Sequence, residues 1–267
     1  MINTIFSFLT PVWSKRRLIL LMANREIKGN YVGSVLGFAW ILIHPAVMIT
    51  VFWFVFSMGF KVQPLNDVPF VVWLTAGLAP WFFFVNIVSG STSSIVDNSH
   101  LIKKTIFFPQ VLPVVKICSS IITHVVFVLI LLLLILFQGV TIDLWALQSF
   151  YYLFCLLALA IGISWGTSAL NVFVRDIGQV VAISLQVGFW LTPIFWDLQM
   201  MPAKVQFLLK LNPVYYIVQG YRDSFINGTG FWEHPVYSLY FWCCTITILF
   251  LGGFVFRRLR PQFSDVL

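Results

Sequence analysis

The chain has 267 residues, of which 9% are charged, 60% hydrophobic and 18% aromatic, and it carries a formal net charge of +7. An ordinary soluble chain holds about 25% charged residues, so a water-soluble globular enzyme is excluded, and with it a nucleic-acid surface as the reason for the positive charge. Six stretches contain no Asp, Glu, Lys or Arg: 29–60, 68–96, 117–142, 144–174, 177–196 and 234–256. The shortest is 20 residues long, and a helix needs about 20 mostly apolar residues to cross the hydrocarbon layer. The expected fold is an all-α integral membrane protein with six transmembrane helices. It forms one domain over 1–267: a cytoplasmic interface segment 1–28, a six-span region 29–256 and a cytoplasmic tail 257–267.

Ahead of the first span, Ile2, Ile5, Phe6, Leu9, Val12 and Trp13 recur at helical spacing, while Asn3, Ser7, Thr10 and Ser14 take the other side. This predicts an amphipathic helix lying in the membrane surface, bent or ended near Pro11. It is not a secretory signal, because Lys15-Arg16-Arg17 follows the apolar residues instead of preceding them. Such a helix serves as an anchor or as a docking surface for a cytoplasmic partner. Arg25 and Lys28 stand at the entrance to the first span. Cations there suit the positive-inside bias.

Between spans two and three the chain reads Asp97-Asn98-Ser99-His100-Leu101-Ile102-Lys103-Lys104-Thr105-Ile106-Phe107-Phe108-Pro109. Leu101, Ile102, Thr105 and Phe108 fit one side of a short helix, which Pro109 and Pro113 limit before span three. So much apolar surface in a short basic loop predicts burial against another surface. The connection between spans four and five, around Arg175 and Asp176, is a tight turn in which those two side chains make a local charge pair.

The segment 197–233 is the most irregular, with Pro202, Asn212-Pro213, Tyr215-Tyr216, Tyr221-Arg222-Asp223 and a glycosylation-type Asn227-Gly228-Thr229. Its apolar piece 211–221 is too short to span, and runs of roughly 10 to 14 residues suggest interfacial or re-entrant segments. Irregular backbone at membrane depth is tolerated only beside protein or a water-filled path. Two short helices dipping in from the outer face, over about 199–226, are expected here. Arg222 is expected to pair with Asp223 or with a lipid head group.

With both termini inside, twelve basic residues fall on the cytoplasmic side and four outside, Lys61, Lys204, Lys210 and Arg222. That is the positive-inside signature, so both termini are expected in the cytoplasm. Several chemistries have no residues to carry them. There is no G-x-x-x-x-G-K-[ST], H-E-x-x-H or C-x-x-C, hence no phosphate loop, zincin helix or redox pair on this chain. Gly162-Ile163-Ser164-Trp165-Gly166 spells a nucleophile elbow, but that motif needs a strand-to-helix turn and these residues lie within a span. Their two glycines read as a helix-packing G-x-x-x-G. The four cysteines lie within spans without metal-ligand spacing. The four histidines are scattered, and His124 reads as a packed, satisfied side chain. No acid sits mid-span to couple transport to protons or sodium, so uphill movement needs an energy-supplying partner.

Several motifs occur together and in order: Arg25-Glu26-Ile27-Lys28 then Tyr31, Ser34-Val35-Leu36-Gly37-Phe38-Ala39-Trp40 and Pro45; Leu101-Ile102-Lys103-Lys104 with Phe108-Pro109 and Leu112-Pro113; and Asn171-Val172-Phe173 with Arg175-Asp176. Leu191-Thr192-Pro193-Ile194, Leu211-Asn212-Pro213, Tyr221-Arg222 and Arg258-Leu259-Arg260-Pro261 continue them. Together they resemble the permease subunit of ABC-2-type exporters of O-antigen, teichoic acid and related polysaccharides. The one small departure is Gly29-Asn30, where relatives often carry a further basic residue. The resemblance implies a homodimer of six-span permeases in a bacterial inner membrane. Two copies of a separate ATPase subunit, with ATP and Mg, would drive it, and the cargo would be polysaccharide on undecaprenyl diphosphate. It further implies that residues 2–14 and 98–108 contact the ATPase, through Ile2, Ile5, Phe6, Leu9, Asn98, His100, Leu101, Lys103, Lys104 and Phe108. The outer pair, with Pro202, Asn212, Pro213, Tyr215, Tyr216, Tyr221 and Arg222, would close the channel. Arg25 and Lys28 at the cytoplasmic entrance, or Arg222, would receive the lipid diphosphate.

The aromatic content fits such a path. Sugars offer flat apolar faces, which rings contact in a sequence-tolerant way with little entropy to lose, and a conducting path needs weak, repeated contacts. The candidates are Trp40, Trp53, Phe56 and Phe60 in span one, Trp73, Trp81 and Phe84 in span two, and Phe189, Trp190, Phe195 and Trp196 in span five. Lipid-belt rings are the alternative. Three other functions stand beside polysaccharide export. The first is the same exporter class with teichoic acid, capsule or a small drug as cargo. The second is a membrane glycosyl- or acyl-transferase, for which no clustered acid, histidine or nucleophile is evident. The third is an uncoupled channel, which needs no partner-docking loop.

Overall fold

The structure, a computed structural model, describes residues 12–30, 32–62, 68–104 and 107–267. Its described elements are helical, and five helices are long and apolar enough to cross a membrane. α1 (Arg16–Gly29) precedes α2 (Trp40–Trp53), which a 3-10 turn at Gly37–Ala39 opens and a π-helical turn at Phe54–Gly59 prolongs. α3 (Phe70–Asp97), the short α4 (Ser99–Lys104) and α5 (Val111–Phe137) follow. α6 (Ser149–Phe173) is entered through Leu144–Gln148, and α7 (Asp176–Leu191) comes next. Two short helices, α8 (Ala203–Lys210) and α9 (Pro213–Arg222), lead to α10 (Pro235–Leu259) and a final turn, α11 (Phe263–Val266).

The helix expected as the fifth span, α7, has 16 residues. At 1.5 Å per residue it is about 24 Å long, less than the ~30 Å hydrocarbon layer. The charge-free window 177–196 overstates it because a proline pushes its predecessor out of the helical region. Thr192, before Pro193, is extended at φ −82° and ψ 129°.

α3 is the axis of the bundle. Every residue from Val72 to Trp81 is buried, under α5, α6, α7 and α9, the pattern of a core helix. α2, no less apolar, buries only Pro45 and Ile49. α6 and α10 meet at Gly162 and Gly252: a Cβ at Gly162 would stand 2.9 Å from the Leu249 nitrogen, and one at Gly252 would strike the Gly162 carbonyl. The Gly162-x-x-x-Gly166 motif therefore does serve helix packing. The four cysteines are free thiols, with Cys155 buried in the core.

The bundle has two distinct ends. At one, Ile19 and Ala23 of α1 pack on Val111 and Val115 of α5, and Phe256 and Phe263 join Ile95, Leu112, Trp165 and Val172. Lys15, Arg16, Arg17, Lys116, Arg175, Arg257, Arg258 and Arg260 lie on the elements gathered there, so it is called the basic end. The opposite end carries α8, α9 and the turns around 138–148 and 228–234.

Candidate functional site

At the end away from the basic cluster, α7 stops at Leu191, and Thr192-Pro193-Ile194 leaves carbonyls without the donors that a continued helix would bring. Arg222, in the last turn of α9, supplies them. Its Nη1 donates to Pro193 O and its Nη2 to Ile194 O, both at 2.8 Å. The guanidinium is 2% exposed and lies over the Trp73 ring, 3.4 Å from the centroid, a stacked cation–π pair. Gly77 of α3 leaves the room, since a Cβ there would stand 2.9 Å from Nη2. Burial lowers the Arg222 pKa to about 9, against the influence of Tyr215, Asp197 and Asp223, so the group stays cationic at neutral pH. At the other end of α9, the Asn212 side chain accepts from the Val214 N–H at 3.0 Å and donates to Thr192 Oγ1 at 2.9 Å. This is an N-cap and a tie at once. α9 is pinned at both ends to the break after α7.

The pairing expected between Arg222 and Asp223 is therefore corrected: no ion pair joins them. The arginine fork is occupied by the two carbonyls, and its burial keeps it from a head group. Asp223 is also buried and accepts from Gln219 Nε2 at 3.0 Å and Asn227 Nδ2 at 2.8 Å.

A hydroxyl chain binds α9 to α6 and α10. Trp242 Nε1 donates to Tyr151 OH at 3.0 Å, the Tyr151 and Tyr216 hydroxyls meet at 3.2 Å, and Tyr216 meets Ser238 at 2.8 Å. His124 is the packed histidine expected. Ala79 O can only accept, so Nδ1 donates to it at 3.4 Å and Nε2 accepts from the Tyr221 hydroxyl at 2.9 Å. Between α8, α9 and the start of α10 lies a cavity of about 320 Å³, lined among others by Trp73, Asp197, Gln199, Lys210, Tyr215, Gln219, Asp223 and Tyr237. Of the expected outer-gate residues, Tyr216, Tyr221 and Arg222 are buried; Asn212, Pro213 and Tyr215 are half-buried, and Pro202 is exposed.

The candidate aromatics separate into groups. Phe60, Phe56, Phe195, Phe189, Trp81 and Phe84 form one ladder, with successive centroids 5.3, 4.6, 5.5, 5.9 and 6.1 Å apart. Trp190 joins it at Phe195, 5.0 Å away, and Trp196 Nε1 donates to Trp190 O at 3.4 Å. Trp73 belongs to Arg222 instead. Trp40 is exposed, with its Nε1 donating to Ser34 Oγ at 3.1 Å, and Trp53 is half-buried outside the ladder. Phe52, 5.5 Å from Phe189, belongs with the ladder and was not among the candidates. Its position four residues before Phe56 was the available signal.

At the basic end a smaller cavity of about 250 Å³ lies between α1, α4 and α5, lined by Arg25, Glu26, Asn98, His100, Leu101 and Lys116, among others. Lys116 Nζ pairs with Glu26 Oε1 at 2.9 Å, and Ser119 Oγ donates to the same oxygen at 2.9 Å. Lys15 and Arg260 both rest over Phe108, 5.9 and 5.6 Å from its centroid. Asn98 Nδ2 donates to Ser94 O at 2.9 Å. His100, Lys103, Arg25 and Lys28 are exposed, Leu101 is half-buried, and Lys104 ends α4. Ile2, Ile5, Phe6 and Leu9 lie outside the described residues. The expected Arg175–Asp176 charge pair does not form. Instead Asn171 Oδ1 accepts from Gly178 N–H at 3.1 Å, and Asp176 sits in the first turn of α7, where the helix dipole favours an anion. Among the described residues, no group of three or more His, Cys, Asp or Glu comes together as a metal site.

Residues 17–226 match the ABC-2 type transporter membrane family. Over 94% of its length the chain is 28% identical to the O-antigen export system permease protein RfbA of Klebsiella pneumoniae, covering 95% of that protein. The corresponding protein of Myxococcus xanthus is 25% identical over 95% of the chain and 96% of its own length. The polysialic acid transport protein KpsM of Escherichia coli is 23% identical over 87% of the chain and 90% of its own length.

Proposed function

The chain belongs to the ABC-2 type transporter family, and from that membership we propose that it is the channel-forming membrane subunit of an ATP-driven polysaccharide exporter. The cargo is an undecaprenyl-diphosphate-linked polymer, O-antigen in the first place, moved from cytoplasm to periplasm across a bacterial inner membrane. Similarity to named O-antigen export permeases over nearly the whole chain supports this. The observation that carries it is the family match over residues 17–226. The ring ladder is mostly core, with Trp81, Phe84 and Phe195 buried, and its exposed edge at Phe60 and Trp190 is the part suited to weak, repeated contact with sugar faces. α7, lengthened by its non-helical continuation, is the fifth of six crossings, and both termini are cytoplasmic. Two copies form the path, with the bare face of α2 turned to lipid or to the second copy.

ATP hydrolysis, with Mg, takes place on two copies of a separate subunit. Closure of those subunits displaces the segments 2–14 and 98–108. The α6–α7 turn lies at the same end, so the displacement reaches α7 and, through Asn212 and Arg222, the re-entrant pair α8 and α9 that closes the path. Arg25 and Lys28, both exposed, meet the lipid diphosphate on entry. Deleting the gene tests the reading: lipid-linked polymer trapped on the cytoplasmic face is expected, and normal surface polymer would refute it. Similarity to a polysialic acid transport protein and to a capsule polysaccharide export inner-membrane protein favours capsule as the second cargo, and the identity of the trapped polymer separates the two.

A further inference from the structure

The cavity beside α8 and α9 differs from the rest of this apolar chain. Its wall holds tyrosines, amides and carboxylates with bonding capacity to spare. Tyr215 is half-buried and lines the cavity, yet among the described residues no ring contact or hydrogen bond engages its side chain. Asp223 uses Oδ1 for both Gln219 and Asn227, leaving Oδ2 and the Gln219 Oε1 as acceptors. Asp197 Oδ1 accepts only the Gln199 N–H. A flat ring beside fixed acceptors and amide donors suits a sugar, with one apolar face and hydroxyls that both donate and accept. The volume, about 320 Å³, stands at the low end of the roughly 300–1,000 Å³ typical of ligand pockets.

Charge argues against a phosphate here. Lys210, Arg222 and His234 share the lining with Asp197 and Asp223, so the wall is not uniformly cationic, and both terminal nitrogens of Arg222 bond carbonyls. The Arg222 Nε has no partner among the described residues, but it is buried with essentially no accessible surface, so it offers an anion no open fork. Resting on the export reading above, we propose that this cavity is a saccharide subsite, holding one or two sugar units of the polymer at the exit from the membrane. Tyr215 is its stacking platform, and Gln219, Asp223 and Gln199 contact the hydroxyls.

The test uses the permease–ATPase complex in lipid nanodiscs. Its probes are lipid-free oligosaccharides, released by mild acid from the surface polysaccharide of the source bacterium, and inorganic pyrophosphate. Saturation-transfer NMR should detect weak oligosaccharide binding, reduced at least tenfold by Tyr215→Ala and by Gln219→Leu but less than twofold by Tyr215→Phe. Gln199 is exposed, so Gln199→Ala leaves folding intact, and it should weaken binding about threefold. Absence of binding to the wild-type complex, binding indifferent to Tyr215→Ala, Gln219→Leu and Gln199→Ala, or displacement by pyrophosphate would each overturn the subsite. Complementation of a deletion strain separates the two readings. Surface polymer restored by the wild-type chain without oligosaccharide binding removes the subsite alone. Surface polymer indifferent to the chain removes the export reading and the subsite with it.

Discussion

At the end carrying α8 and α9, a buried arginine, an asparagine cap and a chain of hydroxyls tie each piece to its neighbours. At the basic end, α1 is held by a small apolar patch and by Lys116–Glu26, whose side chains are 21% and 23% exposed. Charge-assisted bonds to buried carbonyls are strong and costly to lose, whereas partly exposed ion pairs contribute little. The difference teaches which end yields: elements with few buried contacts open first. In the export mechanism proposed above, the basic end is the part that the partner moves, and the other end transmits or resists that movement as one body.

The predictions that break or sharpen this contrast run from large effects to small. Lys103→Glu and Lys104→Glu combined with Leu101→Asp should abolish co-purification of the ATPase while leaving membrane insertion intact. Full co-purification would remove the coupling role of 98–108. Arg222→Leu orphans two carbonyls and frees the Trp73 face, and should cost on the order of 3 kcal/mol, read as a lowered melting temperature of the purified complex. Arg222→Lys recovers only part, because an ammonium lacks the planar fork. Gly77→Val drives a side chain against the guanidinium and should cost about 1–3 kcal/mol; wild-type melting would show that the pin tolerates displacement. Glu26→Gln at the opposite end should cost about 1 kcal/mol or less. A larger loss than Gly77→Val would invert the contrast between the ends.

Much of the fold was legible because charge is scarce: its gaps mark the apolar helices, and five of the six windows overlap a helix long enough to cross a membrane. A gap in charge does not mark where a helix stops, so the window at 177–196 ran past Pro193 even though the proline itself was the signal. Burial was not legible either, since α2 and α3 are alike in composition and differ in what surrounds them. The role of Arg222 depends on carbonyls 28 and 29 positions earlier in the chain. Local reading offered its neighbour Asp223, just as it offered Asp176 to Arg175. The packed state of His124 and the glycine contact of α6 with α10 were readable because each follows from a polar or missing side chain placed in an apolar helix.

Inverted inner-membrane vesicles holding the chain, its ATPase and lipid-linked polymer provide the most direct test of the export claim. With ATP, the polymer should pass to the vesicle interior and become resistant to an added glycan-cleaving enzyme, and vesicles lacking the chain should leave it cleavable. ATP-dependent protection of equal extent without the chain would contradict the account.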